Sequence, residues 1–102
     1  NVGSHFPPTD DTWKNADSIE LLRASTDVLH GAGWSVGNVD LTVICETPRI
    51  GPHADAMRAR LGDAMQIPVE RISIKGKTNE RMGWIGAGEG LAVHAVALVE
   101  ER

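Results

Sequence analysis

The stretch with the most chemistry is Lys75-Gly76-Lys77-Thr78-Asn79-Glu80-Arg81, followed by Met82-Gly83-Trp84-Ile85-Gly86-Ala87-Gly88-Glu89-Gly90. A strand ending there delivers an ammonium group, a hydroxyl and a carboxylate to one place. Glycines at 83, 86, 88 and 90 then free the backbone so that N–H groups can approach a ligand. Lys77 and Thr78 suit phosphate oxygens, and Glu80 suits a magnesium ion bridging phosphates. The plainer alternative is a long β-hairpin loop with solvated charges. Gly76-Lys77-Thr78 is not a P-loop, because the upstream glycine is missing at the required spacing and no helix is expected to follow.

A second segment, Cys45-Glu46-Thr47-Pro48-Arg49-Ile50-Gly51-Pro52-His53, leaves a strand and enters a helix. Turn backbone there can read a small planar ligand, and Arg49 can meet a phosphate. The alternative is a connection stiffened by Pro48 and Pro52. A third segment, Gly3-Ser4-His5-Phe6-Pro7-Pro8-Thr9-Asp10, offers Thr9 and Asp10 for hydroxyls and Phe6 for an apolar part of a ligand, against the alternative of a frayed terminus. The four histidines show no zinc spacing. His30 reads as a helix-dipole partner, His94 as a hydrogen-bonded buried ring, and Cys45 as packing rather than a nucleophile.

These segments need elements to place them. Asp17-Ser18-Ile19-Glu20 reads as a capping box opening a helix, with Ile19, Leu22, Thr26 and Leu29 at helical spacing and Gly31 and Gly33 ending it. Val39 to Cys45 is β-branched and partly alternating, which predicts a strand with one buried face. Pro52 suits the first turn of a second helix with Met57, Leu61, Ala64 and Met65 as its stripe, stopped by Gln66 to Pro68. Ile72 and Ile74 mark a strand from about Arg71 to Lys77. Leu91 to Val99 is apolar on both faces apart from His94, which predicts a central, doubly covered strand. The order predicts an α+β domain: a mixed β-sheet with helices packed on one face. The other face of strand 91–99 then needs further N-terminal strands or another subunit.

The 102 residues fit a single domain, with no linkers or internal repeats. No apolar run is long enough to cross a bilayer. A net charge of −4 without a basic cluster makes a poor nucleic-acid binder. One cysteine permits no internal disulfide, which fits a reducing compartment. The chain begins at Asn1 without a signal segment and opens on a polar loop over 1–15, so we expect the C-terminal part of a longer product.

Taken in order, the three segments resemble the 2-C-methyl-D-erythritol 2,4-cyclodiphosphate synthase family of the non-mevalonate isoprenoid pathway. The resemblance covers essentially the whole chain. It rests on Gly3…Phe6-Pro7-Pro8-Thr9-Asp10, Ala16-Asp17-Ser18, Gly37-Asn38-Val39-Asp40, Pro48-Arg49-Ile50-Gly51-Pro52-His53, Lys77-Thr78-Asn79-Glu80, Gly83-Trp84-Ile85-Gly86 and Gly88-Glu89-Gly90. It implies a ferredoxin-like-type α/β sandwich assembling as a homotrimer with active sites between subunits, and a cytoplasmic (bacterial) or plastid-stromal enzyme. The implied reaction converts 4-diphosphocytidyl-2-C-methyl-D-erythritol 2-phosphate to the cyclic diphosphate with release of CMP. By the same resemblance Glu80 takes magnesium or manganese, Thr78 stabilises the transition state, and Cys45 through Gly51, with Arg49, Ile50 and Gly51, form the cytidine pocket. Lys77 and Asn79 flank the phosphates. Asn1, Val2 and Gly3 contact the erythritol part, Phe6, Pro8, Thr9 and Asp10 continue that contact, and Trp84 and Ala87 face the substrate.

The chain also departs from the family. The family's zinc ligands, an Asp-x-His pair and a further histidine, have no counterpart in this chain and are expected upstream, so the residues given are expected to be inactive alone. Asn1 and Pro8 stand where aspartates are common, and Ala87 where an arginine usually contacts the diphosphate. Losing that charge would cost about 1.5–3 kcal/mol, or roughly tenfold to hundredfold in rate, unless Arg81 or Lys77 compensates. The rival readings are a non-catalytic cytidine-nucleotide or phosphate-binding module and a trimerising fragment.

Overall fold

The protein is described from a computed structural model covering residues 17–102. The expected contacts of Asn1, Val2, Gly3, Phe6, Pro8, Thr9 and Asp10 lie outside the described residues. Helix α1, Ser18–Gly31, starts where its cap dictates. Asp17 is extended (φ −62°, ψ 143°) and its side chain accepts the Ile19 N–H at 2.8 Å, a cap contributing about 1 kcal/mol. Glu20 turns to Arg23 (3.6 Å). Gly31 is the last helical residue, and Gly33, at φ 93°, makes the left-handed exit that glycine permits. Leu22 and Leu29 pack on the core, and buried Thr26 returns its hydroxyl proton to Leu22 O at 2.9 Å.

Strand β1, Trp34–Ile44, begins well before Val39. The expected start at Val39 is too late: the strand runs through Gly37-Asn38 with a register shift between Val36 and Asn38. A β-bulge absorbs the extra residue there. A Cβ on Gly37 would lie 3.2 Å from Leu98 O, so the bulge brings backbone close to backbone. After a 3-10 turn at Gly51–His53, helix α2 runs Ala54–Met65. Its buried end, Ala64 and Met65, faces the sheet, and Gly62 lets the chain return, since a Cβ there would sit 2.8 Å from Ile67 O. Strand β2 is Ile72–Lys77, a one-turn helix α3 is Gly83–Gly86, and strand β3 is Ala92–Glu101.

The sheet order is β2-β1-β3. β1 and β2 are parallel, Val39 opposite Ile72 through Ile44 opposite Lys77. β1 and β3 are antiparallel, Trp34 opposite Glu101 through Ile44 opposite Ala92. This α+β domain with a mixed sheet is the expected class, and two connections correct the expectation. β2 and β3 are not neighbours, so the glycine-rich segment is no hairpin loop but a crossover past the end of β1, with a helical turn of its own. β3, expected to be central and doubly covered, pairs only with β1 among the described residues, and Val93, Val96 and Leu98 are 53%, 70% and 64% exposed. Apolar character on both faces signals that a strand is meant to be covered; it does not say by what.

The core lies between the helices and one sheet face: Val36, Val39, Met65 and Ile72, flanked by Leu22, Leu29, Leu41, Leu61, Ile67 and Ile74. Val39, Leu41, Ile72 and Ile74 share that face by strand alternation. Arg23 Nη2 donates to Asp63 Oδ2 at 2.7 Å and ties α1 to α2. That hydrogen bond makes the Arg23 guanidinium hold its proton more tightly than usual. The opposite face carries Asp40 and Lys75, paired at 3.0 Å.

Candidate functional site

Because β1 and β2 run parallel, their carboxyl ends finish together, the edge where α/β sheets hold ligands. Ile44 is opposite Lys77, and the Cys45 N–H donates to Lys77 O at 3.0 Å. Two segments far apart in sequence therefore leave the sheet side by side: the turn 45–52 and the stretch 76–82. Between them lies a cavity of about 390 Å³, lined by Cys45, Arg49, Ile50 and Gly51 on one wall and Lys77 and Thr78 on the other.

The approach is close because β2 has no side chain at Gly76. A Cβ there would lie 2.8 Å from Ile50 Cβ. Cys45 is buried, and its Sγ–H donates to Pro48 O at 3.4 Å, so the thiol stabilises the turn that forms the wall. Arg49, Lys77 and Thr78 are exposed and available to a ligand.

Residues 79–82 form a tight turn closed by Met82 N–H to Asn79 O at 2.9 Å. Both central residues sit at positive φ, Glu80 at 53° and Arg81 at 63°, as in a type I′ turn. Without glycine that conformation costs roughly 1–2 kcal/mol per residue. Offsetting bonds are present. Asn79 Nδ2 donates to Met82 O at 2.8 Å, and Glu46 Oε1 accepts the N–H of Asn79 (3.1 Å) and of Arg81 (3.0 Å). Glu80 is exposed, and its N–H donates to Thr78 Oγ1 at 3.4 Å. Glu46 was not singled out from the sequence. The nearest sequence signal is an acidic residue directly after one strand end, facing a glycine-free Asn-Glu-Arg turn after another.

Helix α3 follows the turn. Gly86 packs against the Arg81 main chain, where a Cβ would overlap it, and the exposed Trp84 ring rests on Gly90, where a Cβ would come within 2.8 Å of the ring. Ala87 is exposed just past the helix. A second hollow, about 570 Å³, lies across the sheet beside Asp40, Arg71, Val96 and Glu100. It is the larger of the two, but most of its charges are paired, Arg71 with Glu100 at 3.7 Å and Asp40 with Lys75, so the strand-end cleft is the better candidate. His94 is exposed on β3 rather than buried, because β3 lies at the sheet edge among the described residues. His30 sits in the last turn of α1, as a dipole partner should.

Among the described residues no three His, Cys, Asp or Glu side chains gather as a metal site, so zinc finds no ligand set there. An exposed carboxylate such as that of Glu80 suits a hard divalent cation that takes its remaining ligands from other oxygens; Glu80 itself does not line the cleft.

The YgbB family model matches residues 1–100. The chain is 48% identical over 99 residues to the 2-C-methyl-D-erythritol 2,4-cyclodiphosphate synthase of Xanthomonas axonopodis pv. citri, covering 97% of this chain and 60% of that protein. Among solved structures it resembles the bifunctional IspDF of Campylobacter jejuni (TM-score 0.91, 30% identity, 100% of this chain and 28% of that one). It also resembles a CDP-bound 2C-methyl-D-erythritol-2,4-cyclodiphosphate synthase (TM-score 0.85, 28% identity, 98% and 64%). The chain thus spans about 60% of the length of curated relatives that it matches. With a family match running almost end to end over this fold, the chain belongs to the YgbB family.

Proposed function

We propose that the protein acts as a cyclodiphosphate synthase, converting 4-diphosphocytidyl-2-C-methyl-D-erythritol 2-phosphate to 2-C-methyl-D-erythritol 2,4-cyclodiphosphate and CMP. The observation that carries this reading is the cleft in which the turn 45–52 and Lys77-Thr78 share one cavity; a synthase of similar fold is named as CDP-bound. In the reaction an oxygen of the 2-phosphate attacks the β-phosphorus. The bond from that phosphorus to the bridging oxygen breaks, and the electron pair leaves on CMP.

The substrate brings its own nucleophile, so the chain's work is positioning and charge neutralisation. Backbone and side chains of 45–51 hold the cytosine. Lys77 and Arg49 neutralise phosphate charge, and the Thr78 hydroxyl donates to the phosphoryl oxygens as charge builds there. Glu80 would hold magnesium or manganese, which when bound would offset the diphosphate charge. Ala87 supplies no cation where the family's arginine stands, a loss that Arg81 or Lys77 would have to offset. Exposed β3 supports assembly as a homotrimer with clefts between subunits, and the single free cysteine fits a reducing compartment, such as the bacterial cytoplasm or the plastid stroma.

The test is phosphorus NMR of the full-length protein with zinc and magnesium. Equal amounts of CMP and cyclic diphosphate are expected. CDP binding without CMP release would favour a non-catalytic nucleotide module, and no nucleotide binding would leave only a structural part.

A further inference from the structure

Glu46 lies on the base side of the cleft, immediately after β1, yet its carboxylate reaches across to the phosphate side. One oxygen accepts the N–H groups of both Asn79 and Arg81, at 3.1 and 3.0 Å. Those amides flank Glu80, at the two-residue stretch held at positive φ without glycine. Converging backbone N–H groups of this kind form a small anion nest, and here the anion comes from the chain itself. Glu46 is half-buried whereas Glu80 is exposed, so the two carboxylates have different tasks.

We propose that Glu46 is a positioning residue: it fills the nest at 79–81, fixes Thr78 and Glu80 in their reactive attitude, and couples the cytidine turn to the phosphate turn as one rigid unit. This rests on the reading of the cleft as a cytidine-diphosphate site. The nest is thereby closed to substrate phosphate, so the diphosphate is held by side chains and metal instead.

The experiment compares Glu46→Ala with Glu46→Gln in the full-length protein. Amide exchange needs no substrate and so scores the positioning independently of the proposed reaction. Asn79 and Arg81 are expected to exchange about tenfold faster or more in the alanine variant and close to the wild-type rate in the glutamine variant, whose amide oxygen still accepts. In turnover, Glu46→Ala lowers kcat for CMP release roughly tenfold to hundredfold, the scale of hydrogen bonds to a charged group, with KM little changed, and Glu46→Gln restores most of it. Unchanged exchange in the alanine variant overturns the proposal, as does a rise in KM with kcat preserved, which would make Glu46 a base contact. Should the alanine variant fail to fold, the wild-type protein decides: Asn79 and Arg81 exchange more slowly than Glu80, and equal rates overturn it.

Discussion

Thr78 and Glu80 owe their positions to where β2 stops. The strand carries Lys77 to the rung opposite Ile44, and the chain turns back sharply over residues 79–82. Glu80 is exposed and packs against no core residue, so Glu80→Gln should leave the melting temperature unchanged. The same variant should weaken magnesium dependence by at least the ~10–100-fold that losing an outer-shell partner of a metal costs, read as the magnesium concentration for half-maximal CMP release. A variant that instead unfolds would assign Glu80 to structure. Ala87→Arg, at an exposed position, should raise the rate about tenfold to hundredfold with little change in CMP affinity by calorimetry. No rise would mean that Arg81 already supplies that charge. Residue types were enough to single out Lys77, Thr78 and Glu80. Glu46 does not stand out within its segment, because its bonds reach across 33 and 35 residues to two backbone amides, and no local pattern records that.

Among the elements, α1, α2 and β2 were legible because each follows a local rule: a cap, a stripe, an apolar pair. The start of β1 was not, since the β-branched run begins only at Val39 and a bulge carries the strand back through Gly37-Asn38. Nor was the β2–β3 crossover, because adjacency in sequence favours a hairpin and only the insertion of β1 between them excludes it. That insertion is what places the glycine-rich segment over the end of β1, beside the turn 45–52. Gly76 holds the two walls together. Gly76→Ala forces a Cβ against Ile50 and should cost about 1–3 kcal/mol, the range for overpacking. Chemical denaturation would read that loss. Ile50→Ala in the same chain should recover part of it, whereas additive losses would show that the two residues do not meet.

At the scale of the whole molecule, β3 is the conspicuous feature. Val96 and Leu98 alternate with the exposed alanines Ala95 and Ala97 on an edge strand, and such edges are normally covered or paired. In the proposed trimer, neighbouring subunits cover it and close the cleft. Val96→Lys should then shift the full-length protein from trimer to smaller species in sedimentation, and activity should fall with it, since a site shared between subunits cannot work in one. An unchanged mass would place the interface elsewhere. No helix among the described residues is long and apolar enough to cross a membrane.

The most direct measurement is a crystal structure of the full-length protein with CDP and magnesium. The account predicts cytosine against residues 45–51, the diphosphate over Lys77 and Thr78, and the metal bridging it to Glu80. Nucleotide bound away from that cleft, or a Glu80 carboxylate that turns away from the diphosphate, would contradict it.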